Sequence, residues 1–138
     1  MILDKFKKLY HDLDSSNIDI IESVYAPDIE FTDPFHQVDG LHALKDYFQG
    51  MYSNVKAISF EFGESISDGN TYFIHWVMKL SHPKLNGGQE ITVPGATFLR
   101  VNQEQQIIFH RDYFDAGVML YEQLPVVGGL VKLIKRRL

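Results

Sequence analysis

Phe109-His110-Arg111-Asp112-Tyr113-Phe114-Asp115 sets a histidine and two carboxylates into an aromatic run. With Ile107 and Ile108 ahead of it, the stretch is rich in β-branched and aromatic residues and reads as a strand over 107–114. Strand side chains alternate between faces. Ile108, His110, Asp112 and Phe114 therefore share one face, and Ile107, Phe109, Arg111 and Tyr113 the other. Neither face is cleanly polar, so both are expected to be covered. A carboxylate on a covered face needs a partner, which makes Asp112 the residue to follow.

Upstream, period-two patterning predicts three more strands, at 56–66, 71–81 and 90–101. Asp68-Gly69-Asn70, Asn86-Gly87-Gly88 and the polar run 102–105 supply the turns between them. In 71–81, Tyr72, Ile74, Trp76, Met78 and Leu80 share one face; Phe73, His75, Val77 and Lys79 share the other. The N-terminal part reads differently. Leu3, Phe6, Tyr10 and Leu13 fall at helical spacing, and Asn17 or Asp19 caps a second short helix carrying Ile20, Ile21 and Val24. Tyr25-Ala26-Pro27-Asp28 breaks it, a short strand Ile29–Thr32 follows, and Asp33-Pro34 stops the strand. Gly40 opens a third helix with Leu44, Tyr47, Phe48 and Met51 on one stripe. A last helical region from Ala116 is expected to break at Pro125 and at Gly128-Gly129. Helices followed by an antiparallel meander make an α+β fold with helices on one face of a curved sheet. The apolar second face then calls for cover, and a homodimer through the sheet is the expected solution, with the chain's own C-terminal segment as the alternative.

Composition narrows the function. The 138 residues read as one domain, 1–138, without repeat or linker. Hydrophobic content of 45%, with 10 Phe and 7 Tyr, excludes a disordered chain. A net charge of −5 argues against nucleic-acid partners, and the absence of cysteine removes thiolate chemistry. The N-terminal residues carry no apolar run of signal-peptide or membrane-span length, so a cytoplasmic protein is expected. Six histidines invite a metal reading, but none shows ligand spacing with a carboxylate, and no metal site is expected.

Val24-Tyr25-Ala26-Pro27-Asp28-Ile29-Glu30-Phe31-Thr32-Asp33-Pro34, Gly40 at a helix start, and Arg111-Asp112-Tyr113-Phe114-Asp115 occur in one order and spacing. In these the chain resembles the nuclear transport factor 2-like superfamily, in its SnoaL-like, ketosteroid-isomerase and limonene-epoxide-hydrolase branches. The resemblance implies a cone: a strongly bent, mostly antiparallel sheet around three N-terminal helices, with a pocket at its wide end and a C-terminal helical tail. It places Asp33 at the isomerase branch's general base. Leu9 stands at that branch's tyrosine, with Tyr10 about 100° around the helix, and Thr97 at its second acid. That departs from the oxyanion pair on which steroid isomerisation depends. Against the hydrolase branch, Asp112 matches one catalytic aspartate, while His75-Trp76-Val77 replaces an Arg-x-Asp and Phe31 and Asp33 replace two water-holding residues.

The resulting candidates are Asp33, His75 and Asp112 as acid–base residues, with an Asp112–His75 pair at the centre. Alternation adds His110 to the pocket. Tyr10, Phe31, Phe48, Val77, Thr97, His110 and Phe114 are expected to contact a small apolar ligand. A carboxylate beside a histidine fixes the imidazole tautomer and can move protons near neutral pH, so isomerisation, cyclisation or water addition without a cofactor is the expected chemistry. Non-catalytic binding of a lipid-like ligand is the alternative. In the tail, 126–138, Leu130, Val131, Leu133, Ile134 and Leu138 alternate with Lys132, Lys135, Arg136 and Arg137. Such a basic amphipathic segment suits either a weak membrane-surface contact or a cap over the pocket mouth or the dimer.

Overall fold

A six-stranded sheet, described with the rest of residues 1–138 in a computed structural model, curls around the N-terminal helices. Helix α1 spans Ile2–Asp12 and is followed by a 3-10 turn at Ile18–Ser23. Strand β1 (Tyr25–Thr32) and the short β2 (Gln37–Asp39) lead into α2 (Leu41–Asn54). Then come β3 (Ala57–Asp68), β4 (Thr71–Ser81), β5 (Ile91–Val101) and β6 (Ile107–Phe114). The strand order is β2-β1-β6-β5-β4-β3, antiparallel except for the parallel pair β1–β6. The α+β cone expected from the resemblance is the fold observed.

Three irregularities bend the sheet. Gly63 and Glu64 of β3 lie opposite His75 alone, which breaks the register between Phe62 and Ser65. Ile108 is an extra residue in β6, where Arg100 pairs with Phe109 but Val101 with Ile107. In β1 the register shifts between Tyr25 and Glu30, around Pro27. Each inserted residue kinks its strand and adds twist. The bulge also corrects the alternation expected of β6. Ile107, not Ile108, is buried in the core, while His110 keeps its inward position. Nothing within the chain covers the outer face of β6, where Arg111 and Tyr113 are exposed.

One core cluster lies between the helices and the sheet, where Phe6 and Leu9 of α1 meet Leu44 and Phe48 of α2, Ile74, Leu99 and Ile107. Each such side chain contributes roughly 1.5–3 kcal/mol through burial. A smaller cluster occupies the wide end, where Trp76, Met78, Leu80, Ile91 and Val93 face the cone interior. The C-terminal segment closes over it. Helix α3 (Ala116–Met119), a 3-10 turn (Tyr121–Gln123) and α4 (Val127–Arg136) form this segment, and Val118, Met119, Leu120 and Leu124 pack on the cluster. Gly128-Gly129 does not break the tail; both glycines lie inside α4. Gly95 of β5 has a steric role, because a Cβ there would overlap the Trp76 indole.

Candidate active site

Asp112 projects from β6 into the cone and lines the cavity there, with its neighbours set by cross-strand register. Thr97 of β5 is its direct partner in the ladder, and the Thr97 hydroxyl donates to Asp112 Oδ1 at 2.6 Å. His110 lies two residues back on the same face, and its Nε2–H donates to the same oxygen at 2.7 Å. This fixes the imidazole tautomer and leaves Nδ1 as an acceptor. Tyr25 OH donates to it at 2.8 Å, and Tyr10 OH donates to Tyr25 at 2.7 Å. Trp76 Nε1–H completes the set by donating to Thr97 Oγ1 at 2.8 Å. The chain of donors Tyr10–Tyr25–His110 and the pair Trp76–Thr97 thus converge on one carboxylate oxygen. Asp112 Oδ2 accepts no protein hydrogen bond. No fully buried side-chain polar atom is left unpartnered, so this oxygen is accessible, and Asp112 lines both the apolar cavity and an open groove with Asp33, Arg111 and Tyr113.

The cavity, about 70 Å³, has room for a few water molecules or a small organic group. Its walls are almost wholly apolar: Phe31, Phe48, Met51, Phe60, Trp76, Met78 and Phe114 are among them, and Met119 of α3 contributes from the C-terminal segment. A second void of about 20 Å³, one water in size, adjoins it against Phe6, Phe62, Thr97 and His110. Burial, then the neighbouring Tyr25 and Asp112, pushes the Tyr10 hydroxyl well above its ordinary pKa; burial does the same to Tyr25. Both are therefore donors at any ordinary pH. Burial and the Asp112 charge also raise Tyr52, a residue of the same cavity wall whose hydroxyl has no protein partner.

Asp33 reaches the cavity edge in a different state. Its Oδ1 accepts the backbone N–H groups of Phe35 and His36 at 2.8 and 2.9 Å, and its Oδ2 accepts the Tyr47 hydroxyl. Both oxygens are engaged in holding the turn after β1. Burial and the Asp33 hydrogen bond push the Tyr47 phenol up.

A family model for the SnoaL-like domain matches residues 6–110. The chain belongs to the SnoaL-like family. Its fold is shared by solved structures of low identity. A protein with a ketosteroid isomerase-like fold from Catenulispora acidiphila, in complex with trimethylamine, aligns with TM-score 0.76 at 16% identity, covering 90% of this chain and 93% of that one. A polyketide cyclase candidate from Acidithiobacillus ferrooxidans aligns with TM-score 0.69 at 20% identity, covering 89% and 91%. A structure of unknown function from Exiguobacterium aligns with TM-score 0.69 at 18% identity, covering 84% and 99%. At these identities the likeness is one of fold. A search of functionally curated proteins returns no match.

Within this SnoaL-like fold, the expected residues divide cleanly. Asp33, Asp112, Tyr10, Phe31, Phe48 and Phe114 line the main cavity, and Thr97 and His110 line the small void beside it. His75 and Val77 do not join them. Trp76 occupies the inward position of β4, so its neighbours on either side face outward, and His75 is exposed. The expected Asp112–His75 pair is therefore replaced by Asp112–His110. Tyr25, Trp76 and Tyr52 are additions. Alternation had set Trp76 on the face opposite His75 without marking that face as the inward one. Tyr25 was hidden in a segment that reads as a helix breaker. Among all residues, no three His, Asp or Glu side chains converge as metal ligands.

Proposed function

We propose that this SnoaL-like protein is a general acid–base enzyme acting on a small carbonyl compound, of the isomerase or cyclase type. The free oxygen of Asp112, facing an apolar cavity while its other oxygen is fixed by His110 and Thr97, carries the reading. In this scheme Asp112 Oδ2 takes a proton from the carbon next to the carbonyl and becomes a neutral acid. The electron pair moves onto the carbonyl oxygen, which the Tyr52 hydroxyl stabilises by donation. The proton then returns to a second carbon, or the enolate carbon attacks another carbonyl to close a ring and the alkoxide so formed takes the proton back from Asp112. The polyketide cyclase candidates among the structural relatives are consistent with the second course.

Proton exchange tests the step without knowledge of the natural substrate. One- and two-ring ketones incubated in D₂O with the protein should lose their α-proton NMR signals faster than in buffer. Asp112→Asn should slow this catalysis by about 10²–10⁴-fold, and Tyr52→Phe by about 10²–10³-fold. Absence of catalysed exchange throughout the panel, or an unchanged rate in Asp112→Asn, would remove the enzymatic reading. Non-catalytic binding of an apolar ligand is the second reading. It is favoured by Asp33, whose engaged oxygens leave one free carboxylate rather than an acid–base pair. An apolar molecule extracted equally from wild type and Asp112→Asn, seen by native mass spectrometry, would support it.

A further inference from the structure

Helix α4 is mounted the wrong way round for a surface helix. Its seat is Gly128, which is buried because a Cβ there would collide with the Glu122 carbonyl. Lys135, on the same side, binds Glu122 at 3.1 Å and approaches Asp115 to 3.7 Å. A helix advances about 100° per residue, so the opposite side carries the apolar residues. Val126 is 77% exposed, Leu130 54%, Ile134 57% and Leu133 40%. A helix stabilised only by its own domain buries its apolar stripe; this one presents it to solvent and fastens itself by a glycine and a lysine. Contiguous exposed apolar side chains of this kind mark an interaction surface.

We infer that α4 docks the protein on an anionic phospholipid bilayer. Charge selects this occupant. Residues 126–138 hold Lys132, Lys135, Arg136 and Arg137 and no acidic residue, in a chain whose net charge is −5. Two copies of α4 packed stripe to stripe would set Arg136 and Arg137 of each against a segment without an acidic residue, whereas lipid phosphates complement them. Arg136 is exposed beside the stripe and Arg137 at its end, where long basic side chains can lie over acyl chains and reach headgroups, while exposed Lys132 sits nearer the seated side. No helix is long and apolar enough to cross a membrane, so α4 lies in the interface plane. A single helix of 10 residues binds reversibly. Its position also has a consequence for access: the segment that carries α4 supplies Met119 to the cavity wall. Docking therefore places the cavity's cover against a reservoir of apolar molecules. The assignment holds whatever chemistry Asp112 performs.

Sedimentation of the full chain with vesicles tests it. Binding is expected to phosphatidylcholine vesicles containing phosphatidylglycerol, and not to phosphatidylcholine alone, with loss at high salt. Ile134→Asp and Leu130→Asp, both at exposed positions, should abolish binding while circular dichroism is unchanged. Lys132→Glu with Arg136→Glu should weaken it at least about tenfold. No binding to either vesicle, equal binding to both, or full binding by Leu130→Asp would overturn the inference. So would sedimentation velocity showing that Ile134→Asp dissociates a dimer, because the stripe would then belong to a second copy.

Discussion

Two histidines of this chain demonstrate what a side-chain position is worth. His110 is 1% exposed and bonded at both ring nitrogens, to Tyr25 and Asp112. His75 stands on the outer face of β4 beside the bulge at Gly63. Replacing His110 by Leu strips a buried hydroxyl and a carboxylate of their partner. The expected loss is roughly 1–3 kcal/mol for each group left unpaired, reduced at Asp112 by its access to the cavity. His75→Leu, in contrast, should change stability by no more than about 0.5 kcal/mol. Urea unfolding of the two variants beside wild type measures both, and a comparable loss in His75→Leu would contradict the assignment of faces. The same contrast explains why one half of the site was legible in the sequence. Alternation along 107–114 put His110 and Asp112 on one face and, along 71–81, put Trp76 and His75 on opposite faces without fixing which one turns inward. Matching His75 and Val77 to a relative's motif turned the wrong face inward, because the inward place on a strand belongs to the residue whose bulk fills it. Tyr25 could not be read the same way. Its role depends on a parallel pairing with Ile107, 82 positions away in the chain, which no local period encodes.

At the scale of elements, the strands and helices follow from local pattern and the curvature does not. The bulges at Gly63-Glu64 and Ile108 leave almost no trace in hydropathy, yet they set how far the sheet wraps. The sheet's outer face is where that wrapping leaves apolar groups without cover. Phe73 is 42% exposed and Tyr113 49%, and Phe98 packs edge-on against Phe109 with Arg100 stacked over both rings. The C-terminal segment covers the wide end of the cone instead and leaves the outer face bare. A second copy of the chain is the cover expected from the sequence. Sedimentation velocity should show a species of twice 15.9 kDa, and Phe73→Lys with Tyr113→Lys should convert it to monomer without unfolding it. A wild-type monomer at all concentrations would leave the outer face unassigned.

The whole molecule answers to pH through its buried phenols. Burial raises Tyr10, Tyr25 and Tyr52 above the ordinary value of 10.0. The Asp112 charge adds to this by opposing a phenolate at each of the three. The folded state therefore holds these protons at a pH where the unfolded chain has released them. Stability falls with rising pH wherever the native state binds more protons than the unfolded one. The contribution of the three phenols is complete below pH 10.0 and declines above it, by up to about 1.4 kcal/mol per pH unit for each phenol. Stability from urea midpoints should consequently be flat across the mildly alkaline range and drop steeply above the phenol's ordinary value. Phenolate absorbance should rise for these three tyrosines only as the fold is lost, in one step with the circular dichroism. If their absorbance rose while the native signal persisted, the tyrosine–histidine chain would be open to solvent. Asp112 would then lack the dry surroundings on which its proposed chemistry depends.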